Sequence, residues 1–306
     1  MRRPCHFGIY CLPIPPRGVI LERKCNRTEV TPFMGLFDGI IIVSDIDGTF
    51  LGRQGRLVPE NLERIRRFQR GGGRFTIATG REYFIVYPSV PQVEEICNCP
   101  AIACNGAYIY DYHAHEKLVE TFLEDGPLLP VIRAVGDACP RAGFRVDMLD
   151  CYFVERIYKE FEWVRDLYPD KARVMPLEEM PRGCWHKVAF DGPPDEIDRA
   201  EAMLRARLDA RYNCIRSGAD IAEIQSAAAT KGKMLARLKE LSGGRVLYAI
   251  GDYDNDYDML VSADRCAVPA NGLDKLKAIP GAIQVCDHDE GAIADLIDHI
   301  EKELRS

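Results

Sequence analysis

The sequence predicts an α/β protein: a parallel sheet flanked by helices, with a second α/β unit inserted part-way along. Three observations predict it. From residue 39 onward, short apolar runs alternate with amphipathic stretches. The runs at 40–43 and 246–250 are nearly continuous in Ile, Val, Leu and Ala, as expected of strands covered on both faces. Their order, strand then helix then strand, calls for right-handed crossovers and hence parallel pairing. The block from 122 to 218 breaks this rhythm, with several strands against few helices.

Residues 1–33 differ from the rest. They hold six basic residues against Glu22 and Glu29, a local charge of +4, which leaves −11 for the remainder. Pro4, Pro13, Pro15 and Pro16 break any helix there, and also interrupt the apolar stretch a signal peptide would need. We expect a loose N-terminal extension, or a natural start at Met34. The first strand is Ile40–Val43. A helix over 59–69 follows, with Pro59 in its first turn, apolar Leu62, Ile65 and Phe68 on one face, and Gly71-Gly72-Gly73 beyond its end. Strands are expected at Phe75–Ala78 and Ala101–Cys104, then a hairpin with Ile109 and Leu118 in its arms. In the inserted block the pattern predicts helices over 127–139 and 195–208. Strands there are expected over 144–146, 151–154, 186–190, 212–215 and 221–224. The last third returns to alternation: helix 231–241, strand 246–250, helix 254–261, strand 266–268 and a closing helix over 291–304. The division drawn from this is a core over 34–121 and 219–306, with an inserted α/β cap over 122–218.

Composition narrows the function. A chain of 306 residues with 47% hydrophobic and 28% charged residues can bury a full core, which argues against disorder. No apolar run reaches the roughly 18 residues that span a bilayer, so no membrane partner is expected. A net charge of −7 argues against a nucleic-acid partner. Twelve cysteines include no C-x-x-C pair, which points to reduced thiols in a cytoplasmic protein rather than a zinc ribbon.

Four segments carry chemistry. Asp45-Ile46-Asp47-Gly48-Thr49 directly follows the first strand, where ligands of open parallel sheets bind. Two carboxylates so close repel, and a hard cation such as Mg²⁺ removes the conflict; a turn with two capping aspartates is the alternative. Gly251-Asp252-Tyr253-Asp254-Asn255-Asp256 likewise leaves a strand and opens a helix. It is no EF-hand, since Tyr257 stands where that loop needs Gly and Ala263 where it needs Glu. Thr79-Gly80-Arg81 leaves a strand, and Thr230-Lys231-Gly232 opens a helix. Either alone reads as a cap and a solvated charge. Together the four supply carboxylates, a hydroxyl and an ammonium at one sheet edge, the components of phosphoryl transfer. Nucleotide binding is unsupported, because neither a Walker A motif nor a G-x-G-x-x-G occurs.

In this order the segments resemble the motifs of the haloacid-dehalogenase-like superfamily, within it the Cof-type phosphatases with a large α/β cap (subfamily IIB). The likeness spans about 39–304, and Asn105-Gly106-Ala107 is similar to a segment of the same subfamily. The resemblance implies a Rossmann-like core and a Mg²⁺-dependent phosphatase of small phosphorylated metabolites, most of all sugar phosphates. It implies that Asp45 is the nucleophile and forms an aspartyl-phosphate. Asp47 would be the general acid and base, in a site that keeps it protonated for the first step. Thr79 and Lys231 would hold phosphate oxygens. Gly80, Arg81, Asn105 and Asn255 would contact substrate. Asp45, Asp47 (through its carbonyl), Asp252 and Asp256 would serve the metal. His186 and Lys187 are further candidates for choosing the leaving group. The residues before Lys231 lack the Pro and Gly common in the family. A phosphomutase of the phosphomannomutase type is the second reading, and would need arginines of the cap gathered around a second phosphate. A non-catalytic binding protein is the third, against which all four motif residues are intact. The expected assembly is a monomer or homodimer.

Overall fold

The computed structural model describes residues 21–22, 35–157 and 159–306. The expected start at Met34 and most of the N-terminal extension lie outside the described residues. The first part of the core comprises β1 (Ile40–Ser44), α1 (Pro59–Arg70), β2 (Arg74–Ile77), β3 (Ala101–Ala103), β4 (Tyr108–Asp111) and β5 (Glu116–Glu120). The middle block holds α2 (Asp125–Ala138), β6 (Gly143–Met148), β7 (Cys151–Arg156), α3 (Lys159–Leu167), β8 (Ala172–Val174), β9 (Trp185–Asp191), α4 (Pro194–Arg207), β10 (Tyr212–Gly218) and β11 (Ile221–Ser226). The chain then returns through α5 (Lys231–Ser242), β12 (Val246–Ile250), α6 (Tyr257–Ser262), β13 (Arg265–Pro269), β14 (Ile283–Val285) and α7 (Ala292–Arg305).

The core sheet is parallel, in the order β14-β13-β12-β1-β2. Its two central strands come from opposite ends of the chain, with Ile40 opposite Val246 and Ser44 opposite Ile250. A single parallel bridge from Ala78 to Ile102 carries the sheet on to β3 and the antiparallel ladder β3-β4-β5. Leu21–Glu22 pairs with the outer edge of that ladder, so this part of the extension is tied to the core. All five residues of β1 are buried, because helices cover both faces: α1 and α7 on one, α5 and α6 on the other. The apolar composition of that strand is the local cause.

The second sheet has the order β8-β7-β6-β9-β11-β10, antiparallel except where β8 joins β7. It runs on to Ser226, past residue 218, where the sequence reading ends the cap. β11 belongs to it because five residues pair in register with β9. This sheet has two unlike faces. Phe144, Val146, Met148, Val188, Phe190, Ala222 and Ile224 pack beneath α2 and α4. The residues between them, Arg145, Asp147, Lys187, Asp191, Glu223 and Gln225, form the opposite face and are buried as well. A charged face that is nonetheless buried requires a partner surface, and the core supplies it.

Of the elements named above, three have no counterpart in the sequence reading: α3, β8 and β14. The two strands are three residues long, too short for a period-two pattern to register.

Candidate active site

The site assembles where β1 and β12 end side by side. Asp45 follows β1, and its backbone N–H donates to the carbonyl of Ile250 at 2.9 Å, which locks the two strand ends together. Asp252 and Asp256 follow β12 on the turn into α6. Lys231 is the first residue of α5, whose start is fixed by the Thr230 hydroxyl accepting from the Lys233 N–H at 3.2 Å. All four motif segments therefore meet at one sheet edge, as the spacing predicts.

The Lys231 ammonium donates to Asp45 Oδ1 at 2.6 Å and to Asp256 Oδ1 at 2.7 Å. It is 1% exposed, so these bonds form almost out of reach of water. The other oxygen of Asp256 accepts from the N–H groups of Asp252 and Tyr253, at 3.0 and 3.2 Å. Asp256 thus uses both oxygens within the protein and acts as the fixed strut between Lys231 and the turn. Thr49 donates to Asp252 Oδ1 at 2.7 Å. Gly48 lies at φ +82°, and a Cβ there would meet Asp252 Oδ2 at 2.5 Å. Only glycine lets the two loops approach this closely.

Ligand oxygens of Asp45, Asp252 and Asp256 lie within 4.8 Å of one another. Burial, and next the charge of Asp256, raises Asp45 well above the ordinary carboxylate range, against the pull of Lys231. Burial, with Asp256 adding to it against the hydrogen bond from Thr49, brings Asp252 up to about 6. Crowded carboxylates with lifted affinities for protons mark a place for a cation, and an all-oxygen donor set suits a hard one. Asp45 and Asp252 are the side chains that would hold it. The Asp47 carboxylate does not join this group.

Asp47 corrects one expectation. Its side chain is not enclosed but 57% exposed, and it faces a guanidinium. Arg81 donates from Nε to Asp47 Oδ2 at 2.8 Å and from Nη2 to Oδ1 at 2.6 Å, a bidentate pair. Arg81 Nη1 is anchored on the Ser89 hydroxyl at 2.8 Å.

The other predicted residues divide between wall and floor. Thr79 is buried and accepts from the Arg81 N–H at 3.1 Å, so it shapes the turn beneath Arg81. Asn105 sits at φ +54° and donates to Glu223 Oε2 at 2.9 Å. Asn255 reaches Asn105 Oδ1 at 3.4 Å. The Gly80 carbonyl accepts from Lys187 at 2.8 Å. These last bonds join core to cap: Lys187 and Glu223 are cap-sheet residues, 2.7 Å apart. The cavity between the two halves has a volume of about 850 Å³, with Asp45, Asp47, Arg81, Asp252 and Asn255 on the core side. Its cap side carries Arg145, Tyr152, Lys187, Asp191, Ser217 and Asp220, among others.

His186 is a second correction. It lies outside the cavity, hydrogen-bonded to Glu120 at 3.1 Å and stacked on Phe122. The sequence reading also passed over Arg145, Tyr152, Asp191 and Glu223 as individual site residues. The signal for three of them was available in F-R-V-D-M, V-A-F-D and A-E-I-Q. Strict alternation places their charges on one face of a sheet.

A family model for haloacid dehalogenase-like hydrolases matches residues 42–297. The chain belongs to that family. This agrees with the resemblance to its Cof-type members. One relative is the pyridoxal phosphate phosphatase YbhA of Escherichia coli, 26% identical over 84% of this chain and 97% of the relative. Another is the HMP-PP phosphatase of Serratia proteamaculans, 26% identical over 83% and 93%. Among solved structures, a haloacid dehalogenase-like hydrolase from Bacteroides thetaiotaomicron superposes with a TM-score of 0.72 at 21% identity, covering 86% of this chain and 99% of that one. The subclass IIB sugar phosphatase BT4131 gives 0.70 at 18% identity, over 85% and 98%. These superpositions show the fold.

Proposed function

We propose that this hydrolase is a Mg²⁺-dependent phosphatase of small phosphate monoesters, sugar phosphates foremost, working in the cytoplasm through an aspartyl-phosphate on Asp45. The observation that carries the reading is the Asp45–Lys231–Asp256 chain of hydrogen bonds at the floor of the core–cap cavity. A nucleophilic carboxylate must approach an anionic phosphoryl group, and an adjacent buried ammonium offsets that repulsion. The names of the relatives support a small phosphorylated metabolite as the substrate class.

In this mechanism Asp45 attacks phosphorus. An Asp45 oxygen–phosphorus bond forms as the ester oxygen–phosphorus bond breaks. The leaving oxygen takes a proton from Asp47. Water then attacks phosphorus, Asp47 takes the proton of that water, and Asp45 is released as carboxylate with inorganic phosphate. Mg²⁺, held by Asp45 and Asp252, would neutralise charge on the phosphoryl oxygens. Arg81 holds Asp47 before substrate arrives. A phosphate entering the cavity competes for the same guanidinium and so frees Asp47 to take up a proton from solvent, the proton it then gives to the leaving oxygen. Lys231 keeps Asp45 from rising further in proton affinity.

The mutase reading receives no support from the cap arginines. Arg133 pairs with Glu155 and Glu178, Arg141 with Asp195 and Glu196, and Arg156 binds three backbone carbonyls. Of the cap arginines, only Arg145 lines the cavity among the described residues.

The test is phosphate release from p-nitrophenyl phosphate in Mg²⁺, in excess EDTA, and by Asp45→Asn in Mg²⁺. The proposal expects release only from the unaltered protein with metal. Release by Asp45→Asn would remove Asp45 as nucleophile.

A further inference from the structure

Resting on the phosphatase reading, we infer that the cavity selects monoesters whose leaving group is neutral or cationic, and rejects those bearing a second anionic group, with Asp220 on the cap rim as a discriminating residue. The argument starts from how the cations of the cavity are used. Among the described residues three cationic side chains line it, Arg81, Arg145 and Lys187. Each is committed to a carboxylate. Arg81 is held by both oxygens of Asp47. Arg145 donates to Asp147 Oδ1 at 3.0 Å, and its guanidinium lies 4.6 Å over the Tyr152 ring. Lys187 meets Glu223 at 2.7 Å, the Gly80 carbonyl at 2.8 Å and Asp147 at 3.4 Å.

One of these commitments can be released by the transferring phosphate itself, that of Arg81. The other two lie in the cap and are almost wholly buried. For either to accept a second phosphate or carboxylate, it would have to abandon a buried acidic partner, and that partner would be left without its cation. A hydroxyl or amine makes no such demand, because it can donate to carboxylates that are already there.

The remaining charges point the same way. On the cap side the lining carboxylates are Asp191, Asp220 and Glu223, against Arg145 and Lys187. Asp147, behind Arg145, adds a fourth acidic group. Asp220 sits at the turn between β10 and β11, exposed, with no hydrogen bond or ion pair to its carboxylate among the described residues. It therefore presents its charge to whatever occupies the mouth of the cavity. Like charges brought together across a binding surface are strongly disfavoured, and this is how specificity is commonly enforced.

Three six-carbon monophosphates of similar size separate the possibilities: glucosamine 6-phosphate, glucose 6-phosphate and 6-phosphogluconate. Their leaving groups carry a positive, no and a negative charge. With the full chain in Mg²⁺ at low ionic strength, kcat/KM should fall in that order, with roughly a tenfold gap between the neutral and the anionic ester. Added salt should narrow the gap, and Asp220→Lys should narrow or reverse it. Equal or better turnover of 6-phosphogluconate would overturn the inference, as would a gap that Asp220→Lys leaves intact. Hydrolysis of p-nitrophenyl phosphate in the same preparation reports on the reaction alone. A protein that cleaves the aryl ester but ignores the charge of the leaving group loses the selectivity and keeps the phosphatase reading.

Discussion

Replacing Lys231 with Met should convert the floor of the site from a satisfied network into a cluster of buried, unpaired carboxylates. Asp45 is 6% and Asp256 0% exposed, so neither can recover its hydration without opening the site. Removing one partner from a buried ion pair costs about 3–5 kcal/mol. Protonating one carboxylate is the escape. From an ordinary carboxylate value near 4, that costs about 1.4 kcal/mol per pH unit, hence about 5.5 kcal/mol at pH 8 but only about 1.4 at pH 5. The variant should therefore lose about 4 kcal/mol at pH 8 and roughly 1.5 kcal/mol at pH 5. The sign follows from linkage. A carboxylate whose folded value is raised binds more protons folded than unfolded, so its contribution to stability falls as pH rises from the unfolded value to the folded one. Urea unfolding of both proteins at the two pH values, in EDTA, reads this directly. A deficit that is the same at both pH values, or larger at pH 5, would refute the account of Lys231 as the cation of this cluster.

Further outcomes follow from the same geometry. Gly48→Ala should weaken Mg²⁺ binding at least tenfold, since the new Cβ would meet Asp252 Oδ2 at 2.5 Å, and titration calorimetry would show it. The Asp252 carboxyl is lifted from 3.8 to about 6, so metal-free protein should lose stability as pH rises across that window. Saturating Mg²⁺ should cancel the loss in a thermal scan. Glu120 behaves oppositely. Burial alone would raise it, yet the hydrogen bond from His186 and the charge of Lys117 bring it down to about 2. Its contribution is whole above about pH 4.5 and is lost as pH falls toward 2, and His186→Phe should shrink this acid-limb slope.

The core half of the candidate site was legible in the sequence because its residues are placed locally. Each motif follows a strand or opens a helix, and a parallel sheet brings all strand ends to one edge. Asp45, Asp252 and Lys231 could be brought together on that rule alone. The sequence could not say that Asp47 leans out to Arg81, since that depends on the turn at Thr79-Gly80. Nor could it say which cap residues meet substrate. Lys187 and His186 are adjacent in sequence, yet one points to the core and the other to Glu120 and Phe122, because the pairing of β9 with β6 shifts register between Trp185 and Lys187, a bulge that falls at His186. The buried charged face of the cap sheet was written in the pattern of β6, β9 and β11. Reading it required knowing that a second surface covers it.

The central claim is that the phosphoryl group passes through Asp45. With p-nitrophenyl phosphate, whose leaving phenolate needs no proton, Asp47→Asn should still pass the phosphoryl group to Asp45 but fail to activate water, so the intermediate should accumulate. The variant would be mixed with substrate and Mg²⁺, quenched in acid, digested and mapped by mass spectrometry. The account predicts a phosphoryl group on Asp45, absent without Mg²⁺ and absent from Asp45→Asn. A phosphoryl group on another residue, or rapid turnover with none on the protein, would contradict it.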